Sequence, residues 1–160
     1  MDLNINLLEL GKIKNLEILT LLNCSINDDC VELFNKMKKL NTLHFGRCYF
    51  VSKRTIDNPD LNDLMVSDCM EFDISNYYAP SILQIINCMD VDISQKSNLE
   101  KVEKIKIQNG NVTGSKNLLT IPNLNSVSLV GSKLDDDSII KGLKNRGIDI
   151  SIKDEEYPIR

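Results

Sequence analysis

Apolar residues spaced two apart recur along the chain at Leu19/Leu21, Leu43/Phe45, Leu64/Val66, Leu83/Ile85, Ile105/Ile107 and Val127/Leu129. That spacing is the period of a strand with one face buried. Each pair sits inside a longer phrase: Leu16–Ile26, Leu40–Phe50, Leu61–Cys69, Ser81–Cys88, Val102–Val112 and Leu124–Leu134, with a frayed echo over Ile148–Tyr157. A small residue anchors each phrase, namely Cys24, Cys48, Cys69, Cys88, Gly110 and Ser132, with Glu155 in the echo, at steps of 19–24 residues. One such unit cannot cover its own apolar face, so the pattern predicts units stacked side by side as an α/β solenoid. The short strands would pair in parallel, about 4.8 Å apart, as the inner wall of an arc.

The segments between strands differ. Asn27-Asp28-Asp29 offers a helix N-cap, and Cys30, Val31, Phe34, Met37 and Leu40 follow at helical spacing. Asp135-Asp136-Asp137 before Ser138–Leu143 predicts a second helix, with the acidic residues at its N-terminus. The middle copies are shorter between strands, and Asp57-Asn58-Pro59-Asp60 and Asn109-Gly110-Asn111 favour turns. Helices are therefore expected in the terminal units and turns or 3-10 segments in the middle ones. The whole chain, 1–160, reads as one domain: an N-terminal cap over 1–15, about six repeats over 16–134, and a closing helix and strand over 135–160. Leu3, Ile5, Leu7, Leu8 and Leu10 suit the cap, whereas Ile148, Ile150 and Ile152 suit the last strand, with Asp154-Glu155-Glu156 discouraging edge growth.

The phrase resembles the leucine-rich repeat, L-x-x-L-x-L-x-x-N/C-x-L. Leu16-x-x-Leu19-x-Leu21-x-x-Cys24-x-Ile26 matches every fixed position, as do Leu40-x-x-Leu43-x-Phe45-x-x-Cys48-x-Phe50 and, with Ser132 as anchor, Leu124–Leu134. Departures are Pro80 for the first Leu of the fourth copy, Glu71 and Asp90 after their anchors, and Gly147 and Glu155 in the echo. The resemblance implies a right-handed β/α superhelix with parallel strands on its concave face. Cys24–Phe50 is also similar to the cysteine-containing repeat subtype of substrate-receptor and adaptor proteins.

Charge narrows the partner. The formal net charge of −4 argues against a surface tracking nucleic-acid phosphates, which needs a basic face. The local clusters at Lys36/Lys38/Lys39 and Lys101/Lys104/Lys106 do not reverse that, and the first reads as a solvated helix face. Met1–Asn6 has no basic n-region, and no apolar run reaches the ~18 residues of a membrane span. The expected location is cytoplasmic, with no membrane partner, although secretion as an effector would leave the same sequence. Five cysteines, an odd number, then read as reduced thiols.

Four of those cysteines share one repeat position, which raises the question of a metal. With units about 4.8 Å apart the column from Cys24 to Cys88 spans on the order of 14 Å, far beyond the ~2.3 Å reach of zinc–thiolate bonds. Each thiol is better read as filling a small niche under the turn, with its S–H as a weak donor. The single histidine, His44, could pair with Cys48 as a nucleophile, but Cys48 belongs to the buried column, where thiolates are disfavoured. Asp28/Asp29 and Asp135/Asp136/Asp137 read as helix caps and not as an acid and base. No G-x-G-x-x-G, P-loop or H-E-x-x-H occurs, so neither cofactor, metal nor enzymatic activity is expected.

The outward strand positions remain. Alternation places Ile18, Thr20 and Leu22 there, then Thr42, His44 and Gly46, Asp63, Met65 and Ser67, Ile82, Gln84 and Ile86, Lys104, Lys106 and Gln108, and Ser126, Ser128 and Val130. Apolar residues on a wall the fold leaves open suggest a contact surface, with Arg47 and Asp68 at its rim to set orientation by charge. The expected protein-binding set is Ile18, Thr20, Leu22, His44, Arg47, Met65, Ser67, Asp68, Gln84, Ile86, Lys106, Gln108, Ser128 and Val130. The expected function is a non-enzymatic module that binds a protein through the concave sheet and is monomeric outside its complex. Two rivals fit the same surface: a small acidic inhibitor or immunity protein steered onto a basic toxin, and a bacterial effector engaging host proteins.

Overall fold

The computed structural model describes residues 7–69, 74, 80–94 and 99–154. In chain order the elements begin with α1 (Leu7–Leu10), β1 (Ile18–Leu22), β2 (Ser25–Ile26), α2 (Asp28–Lys36), β3 (Thr42–Gly46) and β4 (Tyr49–Phe50). Next come β5 (Asp63–Ser67), β6 (Ile82–Ile86), β7 (Asp90–Asp92), β8 (Lys104–Gln108) and β9 (Asn111–Thr113). A 3-10 helix over Ser115–Thr120, β10 (Ser126–Val130), β11 (Lys133–Leu134), α3 (Ile139–Asn145) and β12 (Asp149–Lys153) complete the chain.

Seven of these strands form one parallel sheet in the order β1-β3-β5-β6-β8-β10-β12. No strand is skipped or inserted out of turn, so each expected strand lies between its sequence neighbours. The register is equally regular, with Leu19 opposite Leu43, Leu43 opposite Leu64, Leu64 opposite Leu83, Leu83 opposite Ile105, and Ile105 opposite Val127. The short strands after the anchors pair in parallel too, β2 with β4 and β7-β9-β11 as a three-stranded sheet.

Period-two alternation decides which side chains enter the core. Leu43, Phe45, Leu64, Val66, Leu83, Ile85, Ile105, Ile107, Val127 and Leu129 are buried behind the sheet, and Ile26, Phe34, Leu40, Ile56, Leu61, Val91, Ile93, Val102, Val112 and Leu118 meet them from the connecting segments. At the chain's start Leu10, from the segment expected to form the cap, and Leu16, from the first repeat, pack against this core. Of the other proposed cap residues, Leu7 and Leu8 fall in α1, while Leu3 and Ile5 lie outside the described residues, as do Glu71, Glu155, Glu156 and Tyr157.

Helix α2 forms as its sequence dictates. The Asn27 side chain accepts a hydrogen bond from the Cys30 N–H at 3.0 Å, Asp28 and Asp29 occupy the first turn, and Cys30, Val31 and Phe34 face inward. Its other end is closed from outside the helix. Buried Asn58 donates from Nδ2 to the carbonyls of Phe34 at 2.8 Å and Met37 at 3.0 Å, and its Oδ1 accepts from the Asp60 N–H. The turn anticipated at Asp57–Asp60 is thus also the C-terminal cap of α2.

The acidic run before α3 acts differently from expectation. Asp135 accepts from the Gly114 N–H at 2.8 Å and the Ser115 N–H at 3.0 Å, capping the 3-10 helix of the preceding unit instead of its own helix. Hydrogen bonding from Ser115 and from the Gly114 N–H holds its carboxyl below the usual aspartate range. Only Asp136 serves α3 locally, accepting from the Ser138 N–H and hydroxyl. A run of carboxylates marks a nearby helix start, but the sequence does not say which start each carboxylate reaches.

Candidate functional site

The outward face of the large sheet carries three rows of side chains, fixed by the register. The first row runs Ile18, Thr42, Asp63, Ile82, Lys104, Ser126 and Asp149; the central row runs Thr20, His44, Met65, Gln84, Lys106, Ser128 and Ser151. The third runs Leu22, Gly46, Ser67, Ile86, Gln108, Val130 and Lys153. Every strand residue of the expected binding set falls on this one face, because a strand's alternate residues share a side and the strands pair without slippage.

Exposure along the face is graded. Ile18 is 63 % exposed and Leu22 50 %, whereas Met65, Gln84, Ile86, Lys106, Gln108, Ser128, Val130 and Ser67 are half-buried against their row neighbours. Met65, Ile86 and Val130 therefore present less surface than an open wall would suggest. Gly46 is where this packing is tightest: a Cβ there would lie 2.6 Å from Leu22 Cδ2, so the glycine lets Leu22 lie across the face. Gln84 donates from Nε2 to both carboxylate oxygens of Asp63, at 3.2 and 3.3 Å, which pins one acidic and one amide group side by side. His44 is half-buried in the central row, and its Nε2 is shielded from solvent with no hydrogen-bond partner among the described residues. The rows thus place apolar side chains at the β1 end, an acid–amide pair at Asp63 and Gln84, and Lys104 and Lys106 on β8.

Arg47 and Asp68 lie at the rim, both exposed, and the structure adds something the sequence reading missed. Asn23, Arg47, Asp68, Asn87 and Asn109 all adopt φ of 52–55°, and Gly131 has φ 56°, at the same place in successive units. This left-handed turn lets each N–H donate to the next unit's strand: Asn23 to Gly46 O, Arg47 to Ser67 O, Asp68 to Ile86 O, Asn87 to Gln108 O and Asn109 to Val130 O, all at 2.8–2.9 Å. Asparagine, aspartate and glycine tolerate this conformation well, arginine less so. Side chains reinforce the rim, with Asn109 Nδ2 donating to Asn87 Oδ1 at 2.8 Å and Asn87 Nδ2 to Asp68 Oδ1 at 2.9 Å. The signal was present as the run of Asn and Gly one position before the anchor.

Behind the rim stands the anchor column. Cys48 Sγ lies 3.3 Å from Leu21 O and 3.6 Å from Gly46 O, Cys88 Sγ 3.5 Å from Ile86 O, and Cys24 and Cys69 Sγ 3.2 and 3.3 Å from the Leu22 and Ser67 carbonyls. Ser132 reproduces the arrangement with a hydroxyl, 3.1 Å from both Ile107 O and Val130 O. The column is also linked along its length, since Cys48 N–H donates to Cys69 Sγ and Gly110 N–H to Ser132 Oγ. Gly110 is required by a close approach, as a Cβ would come within 2.9 Å of the Cys88 carbonyl.

All five cysteines are free and buried, and burial is the main force raising each thiol's pKa, that of Cys69 to about 12. At neutral pH Cys48 is a buried thiol, not an activated nucleophile beside His44. Because the folded state holds these protons more tightly than an unfolded chain titrating near 9.0, their contribution to stability is complete below pH 9. It is lost as the pH rises through each raised folded value, which for Cys69 is about 12. Thermal melts should therefore hold level up to the start of that window and fall through it, and Cys69→Ala should make the fall shallower.

Two shallow recesses flank α2. One, about 260 Å³, is lined by Asn27, Asp28, Asp29, Val51 and Ser52, but Asp28 is already engaged by the Ser52 hydroxyl and the Arg54 guanidinium. Among the described residues no group of three or more His, Cys, Asp or Glu side chains could hold a metal ion, and no helix is long and apolar enough to cross a membrane. The sequence matches no protein-family model and no curated protein, so the functional reading is drawn from this geometry.

Proposed function

We propose that the chain is a leucine-rich repeat solenoid that acts without catalysis, binding a protein partner across the outward face of its parallel sheet. The strand order following the chain order, the constant register and the repeated left-handed turn all support stacked, equivalent units. The observation that carries the binding reading is the three-row face itself. Side chains from distant parts of the sequence form one continuous array, apolar at Ile18 and Leu22, mixed at Met65, Gln84 and Ile86, and basic at Lys104 and Lys106. Such an array is held by strands whose backbone is already ordered, so little conformational entropy is lost on association. The rim charges Arg47 and Asp68 would orient the partner.

Met65 and Ile86 are the residues to test, being half-buried near the middle of the face. Replacing both with Glu should abolish capture of the partner isolated on the native chain, while the circular-dichroism melt stays within a few degrees of the parent. Capture undiminished by the double substitution would place binding elsewhere on the molecule.

A further inference from the structure

Among the described residues no strand pairs with the outer side of β1 or of β12, and these two edges differ in chemistry. On β1, Glu17 O accepts from Asn41 and Thr42 N–H, and Asn23 N–H donates to Gly46 O. Parallel strands turn alternate residues to opposite neighbours, so Leu19 and Leu21 also face β3. The N–H and C=O groups of Ile18, Thr20 and Leu22 point off the edge. The same three residues carry their side chains on the outward face, where Ile18 and Leu22 are among the most exposed apolar residues described. The strand Ile18-Leu19-Thr20-Leu21-Leu22 has no charge, proline or bulge. The far edge, β12, is flanked by exposed Asp149, Lys153 and Asp154, the usual protection of an edge against pairing.

We infer that the β1 edge is an isologous dimerisation site, at which a second copy of this chain adds its own β1 antiparallel to the first. Thr20 lies on the two-fold axis opposite Thr20 of the partner subunit, with Ile18 opposite Leu22 of the partner subunit and Leu19 opposite Leu21 of the partner subunit. In that register the edge-facing residues form hydrogen-bonded pairs, each exchanging both N–H···O bonds. Both exposed apolar residues gain an apolar cross-strand neighbour.

The alternative of β1 stacking onto β12 in the spacing used inside the chain would set Asp149 against Ile18 and Lys153 against Leu22. Charges would be desolvated there without a counter-charge. The self-pairing opposes like with like in polarity, and that complementarity selects a second β1 over the chain's other edge. The edge shares Ile18, Thr20 and Leu22 with the proposed partner-binding face but excludes Met65 and Ile86, so substitutions at Met65/Ile86 and at Ile18/Leu22 separate failure of the one reading from failure of the other.

The test is light scattering of the full chain across a concentration series, together with two single cysteine variants. A twofold mass, 18.1 kDa becoming its double, is expected, reverting to the single-chain mass in Ile18→Lys/Leu22→Lys, whose melt should stay cooperative but lose the concentration dependence that dimerisation gives the parent. Thr20→Cys should oxidise to a covalent dimer, because directly opposed residues in a hydrogen-bonded antiparallel pair lie about 5.5 Å apart, inside the range a disulfide spans. Ser151→Cys on β12 should stay reduced. A single-chain mass at all concentrations, a mass growing without limit, or cross-linking through Ser151→Cys in preference to Thr20→Cys would each overturn the inference.

Discussion

Phe45→Ala is expected to destabilise the protein by about 3–5 kcal/mol, the usual cost of removing a fully buried aromatic ring. The position explains why so large a side chain stands there. Phe45 is the inward residue of β3, 1 % exposed, and its ring lies 6.0 Å from Phe34 of α2 and 5.1 Å edge-on from Phe50. Its equivalents along the sheet are Leu21, Val66, Ile85, Ile107 and Leu129. Next to Phe45 the connecting segment is a nine-residue helix, which stands farther from the sheet than an extended segment, and three phenylalanines fill that depth. Truncation would leave a cavity rimmed by Phe34 and Phe50 that neither backbone can close. Urea titration should show a lower midpoint with unchanged slope, and the melting temperature should drop on the order of 10 °C for a chain of this size. Val66→Ala, which removes only two methyl groups from the equivalent site, should cost less than half as much. Equal losses at the two positions would mean that the aromatic cluster is no more than ordinary packing.

Asn58→Ala should cost at least about 2 kcal/mol, although the residue sits in a turn. Three hydrogen bonds depend on this 6 % exposed side chain, two of them to carbonyls at the end of α2. A buried polar group left without a partner costs roughly 1–3 kcal/mol. The loss should be local, so amide hydrogen exchange should accelerate in the last turn of α2 and in Asp57–Leu61 more than in β8 or β10. Asn58→Asp tests the same contact from the other side, since a carboxylate facing two carbonyl oxygens is repelled where an amide donates. It should be at least as damaging as the alanine.

The sequence disclosed the strands because their signal is local: two apolar residues two positions apart, framed by turn formers and repeated until the spacing could not be accidental. The helix after Ile26 was equally legible, its cap and its inward face lying within ten residues. What escaped detection depends on neighbouring units. Asn58 looked like turn punctuation, yet its amide closes a helix more than twenty residues earlier in the chain. Asp135 looked like the cap of its own helix and instead reaches back to Gly114 and Ser115. The left-handed turn at Asn23, Arg47, Asp68, Asn87, Asn109 and Gly131 was hidden by Arg47 and Asp68, which break an otherwise recognisable Asn/Gly column. Row positions on the outward face followed from the strand period, but their exposure did not, because half-burial of Met65 and Ile86 is set by neighbours brought in by register.

The buried cysteines give the molecule a built-in set of reporters. Cys24, Cys48, Cys69 and Cys88 each follow one of four successive strands of the sheet, and none is open to a bulky alkylating reagent while its own layer is closed. The order in which they become labelled is thus a record of which layers breathe first, written by the native sequence without any introduced probe. A chain whose units loosen from one end would carry its label as a gradient, and one that opens all at once would carry it evenly.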